Sequence, residues 1–203
     1  MLLFNEFLFS QFQKIVKLNC AIILHGSSGE GKTTTASKVA EEARKLGLNV
    51  KGILCRRLFS GASLQGFDVI NLETGESSIF ARLRTEVSGP EWLINEPLIY
   101  AFLKMSLHDT NNILVNAAKN IDKKTLIIID EYGRLESKGL GIFQGFKAVI
   151  NADSKVGTVL IICRTDKVEE VSQILKEKTN RLFIYRSGDF ESIIRILTEY
   201  IES

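Results

Sequence analysis

One short stretch constrains this chain more than any other: Gly26 to Thr34, with the sequence GSSGEGKTT. It matches the phosphate-binding pattern Gly-x-x-x-x-Gly-Lys-[Ser/Thr] at every fixed position. The apolar run 20–24 before it predicts a buried strand, and residues 34–46 after it predict a helix. A glycine-rich loop between a strand and a helix is the context in which this pattern binds phosphate. The sequence therefore predicts a nucleoside triphosphate site.

Each residue type in this loop suits a phosphate. Glycine permits a tight turn whose N–H groups converge on the anion, and the following helix directs its positive end at the same place. Lys32 is expected to bridge the outer phosphates and Thr33 to ligate Mg²⁺. The residues expected to contact the nucleotide are Gly26, Ser27, Ser28, Gly29, Glu30, Gly31, Lys32, Thr33 and Thr34.

A second candidate segment lies where the apolar run 125–129 ends in Asp130 and Glu131. Such a run is typical of a parallel strand buried on both faces, and ligands bind at the carboxyl ends of these strands. Asp130 is expected to hold Mg²⁺ opposite Thr33. Glu131 is expected to orient a water in line with the γ-phosphate, which favours hydrolysis over transfer to a bound hydroxyl.

Positive charge for the transition state is expected from arginines that follow predicted strands at the same sheet edge: Arg56, Arg57, Arg134 and Arg164. An arginine that reaches the γ-phosphate raises the rate by about 10³–10⁵. Arg164, after the strand that follows Asp130, and Arg56, at the end of the second strand, are the candidates for catalysis. For each arginine alone, a surface salt bridge is an equally good interpretation.

The order of predicted elements indicates an α/β fold: a doubly wound, mainly parallel sheet with helices on both faces. Residues 66–72 and 77–83 predict an inserted β-hairpin, and residues 84–98 an irregular excursion that carries Trp92. A mixed helical region then leads back to the sheet. The further predicted elements are strand 50–55, helix 141–151, strand 158–163, helix 167–178, strand 181–185 and helix 189–201. We expect one nucleotide-binding domain at 20–203, with an insertion at about 60–100.

Residues 1–19 form a predicted N-terminal extension with an amphipathic helix at 2–18, in which Phe4, Leu8, Phe12 and Ile15 recur at near-helical spacing. Polar residues interrupt the stretch and no basic residue precedes it, so it fits neither a transmembrane segment nor a signal peptide. We expect this helix to pack on the domain or to mediate self-association. Attachment to a membrane surface is the weaker alternative.

Composition excludes several classes of function. The chain has 26 basic and 24 acidic residues and a net charge of +2, and no basic block gives a strong nucleic-acid signal. Three cysteines, all in or beside apolar runs, indicate reduced, buried thiols in a cytoplasmic protein. With two histidines and no Cys/His cluster, a zinc site is not expected.

Three segments together resemble the small P-loop nucleoside-triphosphatases of the thermophile and cancer-related NTPase family. They are Gly26 to Thr34, residues 52–56 followed by 66–76, and residues 127–136 with Phe143 after them. The third is the most specific, because it matches Asp-Glu-x-Gly-[Lys/Arg]-x-Glu. One departure is Gly89-Pro90-Glu91-Trp92, which stands where the family pattern has Gly-Lys-Tyr; the 2–18 helix is another.

The resemblance implies a RecA-like or AAA-like core that slowly hydrolyses several nucleoside triphosphates, ATP and GTP among them, with Mg²⁺. It assigns phosphate and metal binding to Lys32 and Thr33, metal binding to Asp130, and the attacking water to Glu131. Glu136 is expected either to clamp a nearby arginine or simply to begin a helix, and Gly133 either to turn the chain away from the nucleotide or to be an ordinary loop glycine.

Two other functions stay open from the sequence. A nucleotide or small-molecule kinase would share the loop and fold and needs an acceptor site, which residues 56–100 could form. A nucleotide-dependent switch or assembly subunit would act through a partner contact, for which helix 2–18 and the Trp92 excursion are the candidate surfaces. No motif in the sequence identifies the base of the nucleotide.

Overall fold

The computed structural model describes residues 18–95, 97–152, 157–179 and 181–202. Nine strands of the described residues form one sheet. In chain order the strands are β1 (Cys20–Gly26), β2 (Asn49–Ser60), β3 (Ser63–Asn71), β4 (Ser77–Leu83), β5 (Trp92–Ile94), β6 (Tyr100–Leu103), β7 (Thr125–Tyr132), β8 (Thr158–Arg164) and β9 (Leu182–Arg186). The α-helices are α1 (Lys32–Lys45), α2 (Lys104–Lys119), α3 (Phe143–Ile150), α4 (Val168–Lys176) and α5 (Phe190–Ile201).

The sheet has the strand order β5-β6-β4-β3-β2-β7-β8-β1-β9. Strands β2, β7, β8, β1 and β9 run parallel to one another. Strands β3, β4, β6 and β5 extend this parallel core as an antiparallel wing. The predicted doubly wound α/β fold is confirmed, and so is the inserted hairpin, which β3 and β4 form.

Two separate apolar cores cover the faces of the parallel strands. Helices α1 and α5 pack on one face, and α2, α3 and α4 pack on the other. Strand β7 shows why its sequence is continuously apolar: Leu126 and Ile128 enter the first core, and Ile127 and Ile129 enter the second. All four side chains are fully buried, as expected for a central parallel strand.

The insertion is more regular than the sequence predicts. Strand β2 continues to Ser60, well beyond the predicted end at residue 55, because its second half pairs with β3. The excursion predicted as irregular contains β5, which pairs with β6 along residues 92–94. A three-residue edge strand has too little local signal to stand out in the sequence, and only its pairing partner makes it a strand.

The three cysteines lie in the cores as free, buried thiols, as predicted. No helix in the described ranges has the length and apolarity needed to cross a bilayer. The predicted amphipathic helix 2–18 and its role in self-association lie outside the described residues, apart from Leu18. Leu18 is buried, and its backbone N–H donates to the carbonyl of Lys178 at 2.8 Å.

Candidate active site

A cleft of about 570 Å³ lies along the edge of the sheet where the parallel strands end. It has two chemically different halves. The polar half is lined by the loop before α1 and by charged residues: Ser28, Gly29, Gly31, Lys32, Thr33, Thr34, Arg57, Glu131 and Arg164. The aromatic half is lined mainly by side chains of β2 and the wing: Phe59, Phe67, Phe80, Tyr100 and Phe102, with residues 97–99. The predicted site residues other than Arg56 fall in or beside the polar half.

The loop between β1 and α1 has the backbone shape that phosphate binding requires. Gly29 and Gly31 have φ values of 87° and 81°, which residues other than glycine rarely adopt. Helix α1 then begins at Lys32. The Lys32 ammonium lies over the loop and donates to the carbonyls of Gly26 at 3.0 Å and Ser27 at 2.8 Å. The cation is thereby held at the mouth of the loop.

Glu30 stabilises this loop by hydrogen bonds made outside the cleft. Its carboxylate accepts the backbone N–H of Ser27 at 2.7 Å and the hydroxyl of Ser187 at 3.4 Å. The hydrogen bond from the Ser27 backbone is the main cause that lowers the pKa of Glu30. Glu30 therefore links the loop to the segment after β9, and it is not among the residues that line the cleft.

Thr33 and Asp130, the two residues predicted to hold magnesium, are in direct contact. The Thr33 hydroxyl donates to Asp130 Oδ2 at 2.8 Å, and the Cys55 backbone N–H donates to the same oxygen at 3.0 Å. The backbone N–H of Glu131 donates to Asp130 Oδ1 at 2.9 Å. Asp130 is buried. Desolvation raises the pKa of its carboxyl, and these hydrogen bonds oppose the rise.

Glu131 has an unusual backbone. Its φ is 73°, and it is the only residue other than glycine among the described ones with a positive φ. It lies in a β-bulge: Ile129 pairs with Ile161 and Tyr132 with Cys163, so two residues of β7 oppose one of β8. In a regular strand, consecutive side chains point to opposite faces. At the bulge, Asp130 contacts Thr33, a residue of the cleft wall, and its neighbour Glu131 lines the cleft itself.

The surroundings of Glu131 raise the pKa of its carboxyl above the ordinary value in water. Its side chain reaches solvent through the cleft mouth, yet the cleft walls desolvate it, and the neighbouring Asp130 adds negative charge. Together these effects raise the pKa of Glu131 to about 7, against the opposing charges of Lys32 and Arg57. Two interacting carboxyls of this kind titrate as a pair. Added positive charge at this place would favour the carboxylate.

Strand β2 separates the two neighbouring arginines. Arg57 lines the cleft, and its guanidinium donates to the Ser28 hydroxyl at 3.1 Å. Arg56 points the other way: its guanidinium lies 3.7 Å from Asp68 and 3.5 Å from the Ser77 hydroxyl, with 61% of its side chain exposed. The structure thus brings Arg57 to the phosphate loop and leaves Arg56, one of the two arginines favoured from the sequence, outside the cleft lining.

Arg164 lies where the sequence places it, at the end of β8 and in the lining of the cleft. Its Nε donates to Asp166 Oδ1 at 2.9 Å, an ion pair with about half of each side chain exposed. Arg134 also lines the cleft. Arg164 and Arg134 are both exposed, whereas Arg57 is half-buried and in contact with the loop itself.

Glu136 has a structural role that differs from the arginine clamp considered above. Its buried carboxylate accepts the backbone N–H groups of Gly133 and Ile142, each at 3.0 Å. These hydrogen bonds shape the segment that follows β7, and no ion pair between Glu136 and an arginine is found among the described residues. Burial raises its pKa, and the backbone donors oppose the rise.

The aromatic half was not foreseen from the sequence. Phe67 and Tyr100 meet edge to face with ring centroids 5.0 Å apart, and Phe80 and Phe102 meet in the same way at 5.5 Å. Phe59 lies at the boundary with the polar half, where the Arg57 guanidinium is 5.6 Å from its ring centroid. Antiparallel pairing of β2, β3, β4 and β6 brings these rings together, and no local pattern marks them.

Comparison with known proteins identifies the family to which this chain is similar. A family model described as NTPase matches residues 21–190. Nucleoside-triphosphatase THEP1 of Methanocaldococcus jannaschii is 31% identical over 133 residues, which are 65% of this chain and 72% of that protein. The protein of the same name from Thermococcus kodakarensis is 29% identical over 168 residues, which are 80% of this chain and 89% of that protein.

A solved structure has the same fold. The solution structure of a human cancer-related nucleoside triphosphatase superposes with a TM-score of 0.66 and covers 89% of this chain and 98% of that chain. The two sequences are 18% identical, so this likeness concerns the fold alone.

Proposed function

Because this chain belongs to the family of small P-loop nucleoside-triphosphatases, we propose that it cleaves ATP, GTP and other nucleoside triphosphates to the diphosphate and phosphate in a Mg²⁺-dependent reaction. The observation that carries the proposal is the bulge at Asp130 and Glu131. It places one carboxylate on Thr33 and leaves its neighbour free to act on a water in the cleft.

The phosphates are proposed to bind in the loop of Gly26 to Thr34. Its backbone N–H groups and the first turn of α1 supply donors and the positive end of a helix dipole. Lys32 already lies at the loop mouth, where its ammonium can exchange carbonyl oxygens for the outer phosphate oxygens. Its positive charge would offset charge on the β- and γ-phosphates.

Thr33 and Asp130 are proposed to hold Mg²⁺. Both offer oxygen ligands, which this ion prefers, and their oxygens already converge to 2.8 Å. Magnesium usually takes only one or two ligands from the protein, with water and substrate phosphates completing its shell. The pair therefore fits the ion. When bound there, Mg²⁺ would neutralise charge on the phosphate oxygens.

Glu131 is proposed as the residue that orients and deprotonates the attacking water. The water oxygen attacks the γ-phosphorus, the bond from this phosphorus to the bridging oxygen breaks, and the water proton passes to the Glu131 carboxylate. Arg57, in contact with the loop, and Arg164, which also lines the cleft, are the proposed sources of positive charge for the equatorial oxygens. For Arg56 the geometry supports this role less, because its guanidinium lies 3.7 Å from the Asp68 carboxylate.

The proposed cytoplasmic location is supported by the cysteines. Cys20, Cys55 and Cys163 are free and buried, as expected for a chain that folds in a reducing compartment.

The test is phosphate release from ATP and from GTP, with no added acceptor, as Mg²⁺ is titrated and then removed with EDTA. We expect release from both nucleotides that stops on chelation. Lys32→Ala should lower kcat/KM by about 10²–10³-fold, because a charged donor to the phosphates is lost. Lys38→Ala is the matched control, since Lys38 is exposed on α1.

Two results would contradict the proposal. Release that continues undiminished in EDTA would remove the metal from the mechanism. Full activity of Lys32→Ala would remove the loop lysine from phosphate binding.

A further inference from the structure

We propose that the aromatic half of the cleft binds a second ligand, a nucleoside, and that a hydroxyl of this nucleoside can accept the γ-phosphoryl group in place of water. The inference rests on the proposed function, because the same loop must present the γ-phosphate. It adds a phosphoryl-acceptor site formed by β2 and the wing.

The strand order puts the aromatic half on the side from which the γ-phosphate is attacked. From the loop after β1, the sheet edge passes β8 with Arg164, then β7 with Glu131, then β2 with Arg57, and then reaches the wing. Lysine of this loop motif contacts the β- and γ-phosphates, so the outer end of the triphosphate faces Glu131. The nucleotide base must therefore leave the loop on the opposite side, and it does not fill the aromatic half.

The chemistry of the aromatic walls fits a flat heteroaromatic ring. Five aromatic side chains line this half, and four of them form two edge-to-face pairs. Phe59 is 51% exposed despite its size. Phe67, Phe80, Tyr100 and Phe102 also pack with the larger core, whereas Phe59 belongs to neither core. Hydrolysis needs only a water at this place, so the proposed reaction does not account for the exposed ring of Phe59. A base stacking on this ring would cover it.

The boundary between the two halves suits the sugar of a nucleoside. Arg57 spans it, because its guanidinium contacts Ser28 of the loop and lies over the ring of Phe59. Glu131 lines the same cleft. A ligand whose base stacks in the aromatic half thus has its hydroxyl-bearing part next to a general base. A nucleoside joins these two features in one molecule.

The step is balanced without a further reactant. A hydroxyl oxygen of the nucleoside bonds to the γ-phosphorus as the bond from that phosphorus to the bridging oxygen breaks. The hydroxyl proton passes to the Glu131 carboxylate and then to solvent. The products are a nucleoside diphosphate and a nucleoside monophosphate.

The experiment uses the whole chain with Mg²⁺ and ATP that is radiolabelled at the γ-phosphate. Adenosine, guanosine, cytidine, uridine and thymidine are added one at a time, and labelled monophosphate and free phosphate are separated and counted. Binding of each nucleoside is measured by calorimetry in the presence of a non-hydrolysable ATP analogue. We expect at least one nucleoside to bind saturably and to become labelled.

Two neighbouring residues of β2 provide the matched variants. Phe59→Ala should weaken binding of that nucleoside by about 5- to 100-fold, the usual effect of losing one base-stacking ring. Leu58 is 37% exposed and does not line the cleft. Leu58→Ala should therefore leave nucleoside binding and phosphate release unchanged. Because both side chains are substantially exposed, both variants are expected to fold.

The outcomes separate this inference from the proposed function. Phosphate release without binding or labelling of any nucleoside would overturn the acceptor site and leave hydrolysis standing. Binding without labelling would overturn the transfer step. No phosphate release at all would overturn the proposed function itself. Equal loss of nucleoside binding in Phe59→Ala and Leu58→Ala would show that the aromatic face is not the site.

Discussion

In the polar half of the cleft, hydrogen bonds position the side chains, whereas in the aromatic half the packing of rings positions them. Lys32 and Thr33 each have partners at 2.8–3.0 Å, and Asp130 accepts three hydrogen bonds. Phe80, by contrast, is a buried ring that meets Phe102 edge to face. The first half lies on parallel strands that are buried on both faces, and the second on an antiparallel wing at the sheet edge.

This difference predicts different kinds of response to substitution. A charged group held by directed hydrogen bonds contributes through its exact placement, so its loss should act mainly on the rate. A ring held by packing contributes through buried area and shape, so its loss should act mainly on the free energy of unfolding.

The largest expected effect belongs to the aromatic half. Phe80→Ala should lower the free energy of unfolding by about 3–5 kcal/mol, because it leaves a cavity beside Phe102 in the larger core. Urea unfolding measures the change. Ile79→Ala is the control: Ile79 is the neighbour of Phe80 on β4 and is 45% exposed. A surface substitution of this kind should cost about 0.5 kcal/mol or less. Equal losses would contradict the packing described for this half.

The two arginines of β2 form a matched pair of variants, because Arg57 lines the polar half and Arg56 does not. Arg57→Ala should lower kcat by about 10- to 100-fold, because a hydrogen bond to a charged group contributes about 1.5–3 kcal/mol. Arg56→Ala should stay close to the wild type, since its contacts with Asp68 and Ser77 are long and exposed. Steady-state phosphate release measures both. A larger loss of kcat in Arg56→Ala would return that residue to the mechanism.

The smallest expected effect concerns the strained backbone at Glu131. Glu131→Gly should raise the free energy of unfolding by about 0.5–1 kcal/mol, because a positive φ costs glycine little and other residues about 1–2 kcal/mol. For a chain of this length the melting temperature should rise by about 1–4 °C. Glu131→Gln keeps the strain and serves as the control. If the glycine variant were less stable than the glutamine variant, the bulge would not be strained.

Much of the polar half could be predicted from local sequence. The loop motif identified Lys32 and Thr33, and an apolar run ending in two acids identified Asp130 and Glu131. Both signals are local, because Lys32 and Thr33 belong to one continuous loop and helix start, and Asp130 and Glu131 directly follow one apolar run. On β2, the sequence favoured Arg56, whereas the structure has Arg57 in the cleft. Cys55 is in the core, and alternation along the strand places Arg57 on the same side as Cys55 and Arg56 on the other.

The rest depends on long-range pairing. The bulge at Glu131 exists only because the register between β7 and β8 shifts by one residue. The aromatic half requires β6, which pairs with β4 and β5 although its residues lie in the region that the sequence predicts as mixed helical. Strand register and edge pairing are set by contacts distant in sequence, so a local pattern does not reveal them.

Single-turnover phosphate release by Glu131→Gln, with nucleotide binding measured in parallel, decides whether this carboxylate acts on the attacking water. Glu169→Gln is the matched control, because Glu169 is exposed on α4. Loss of a general base should lower the rate by about 10²–10⁴-fold, while nucleotide affinity and the rate of the control stay near the wild type. A rate for Glu131→Gln within a few-fold of the wild type would contradict the assignment of the attacking water to this carboxylate.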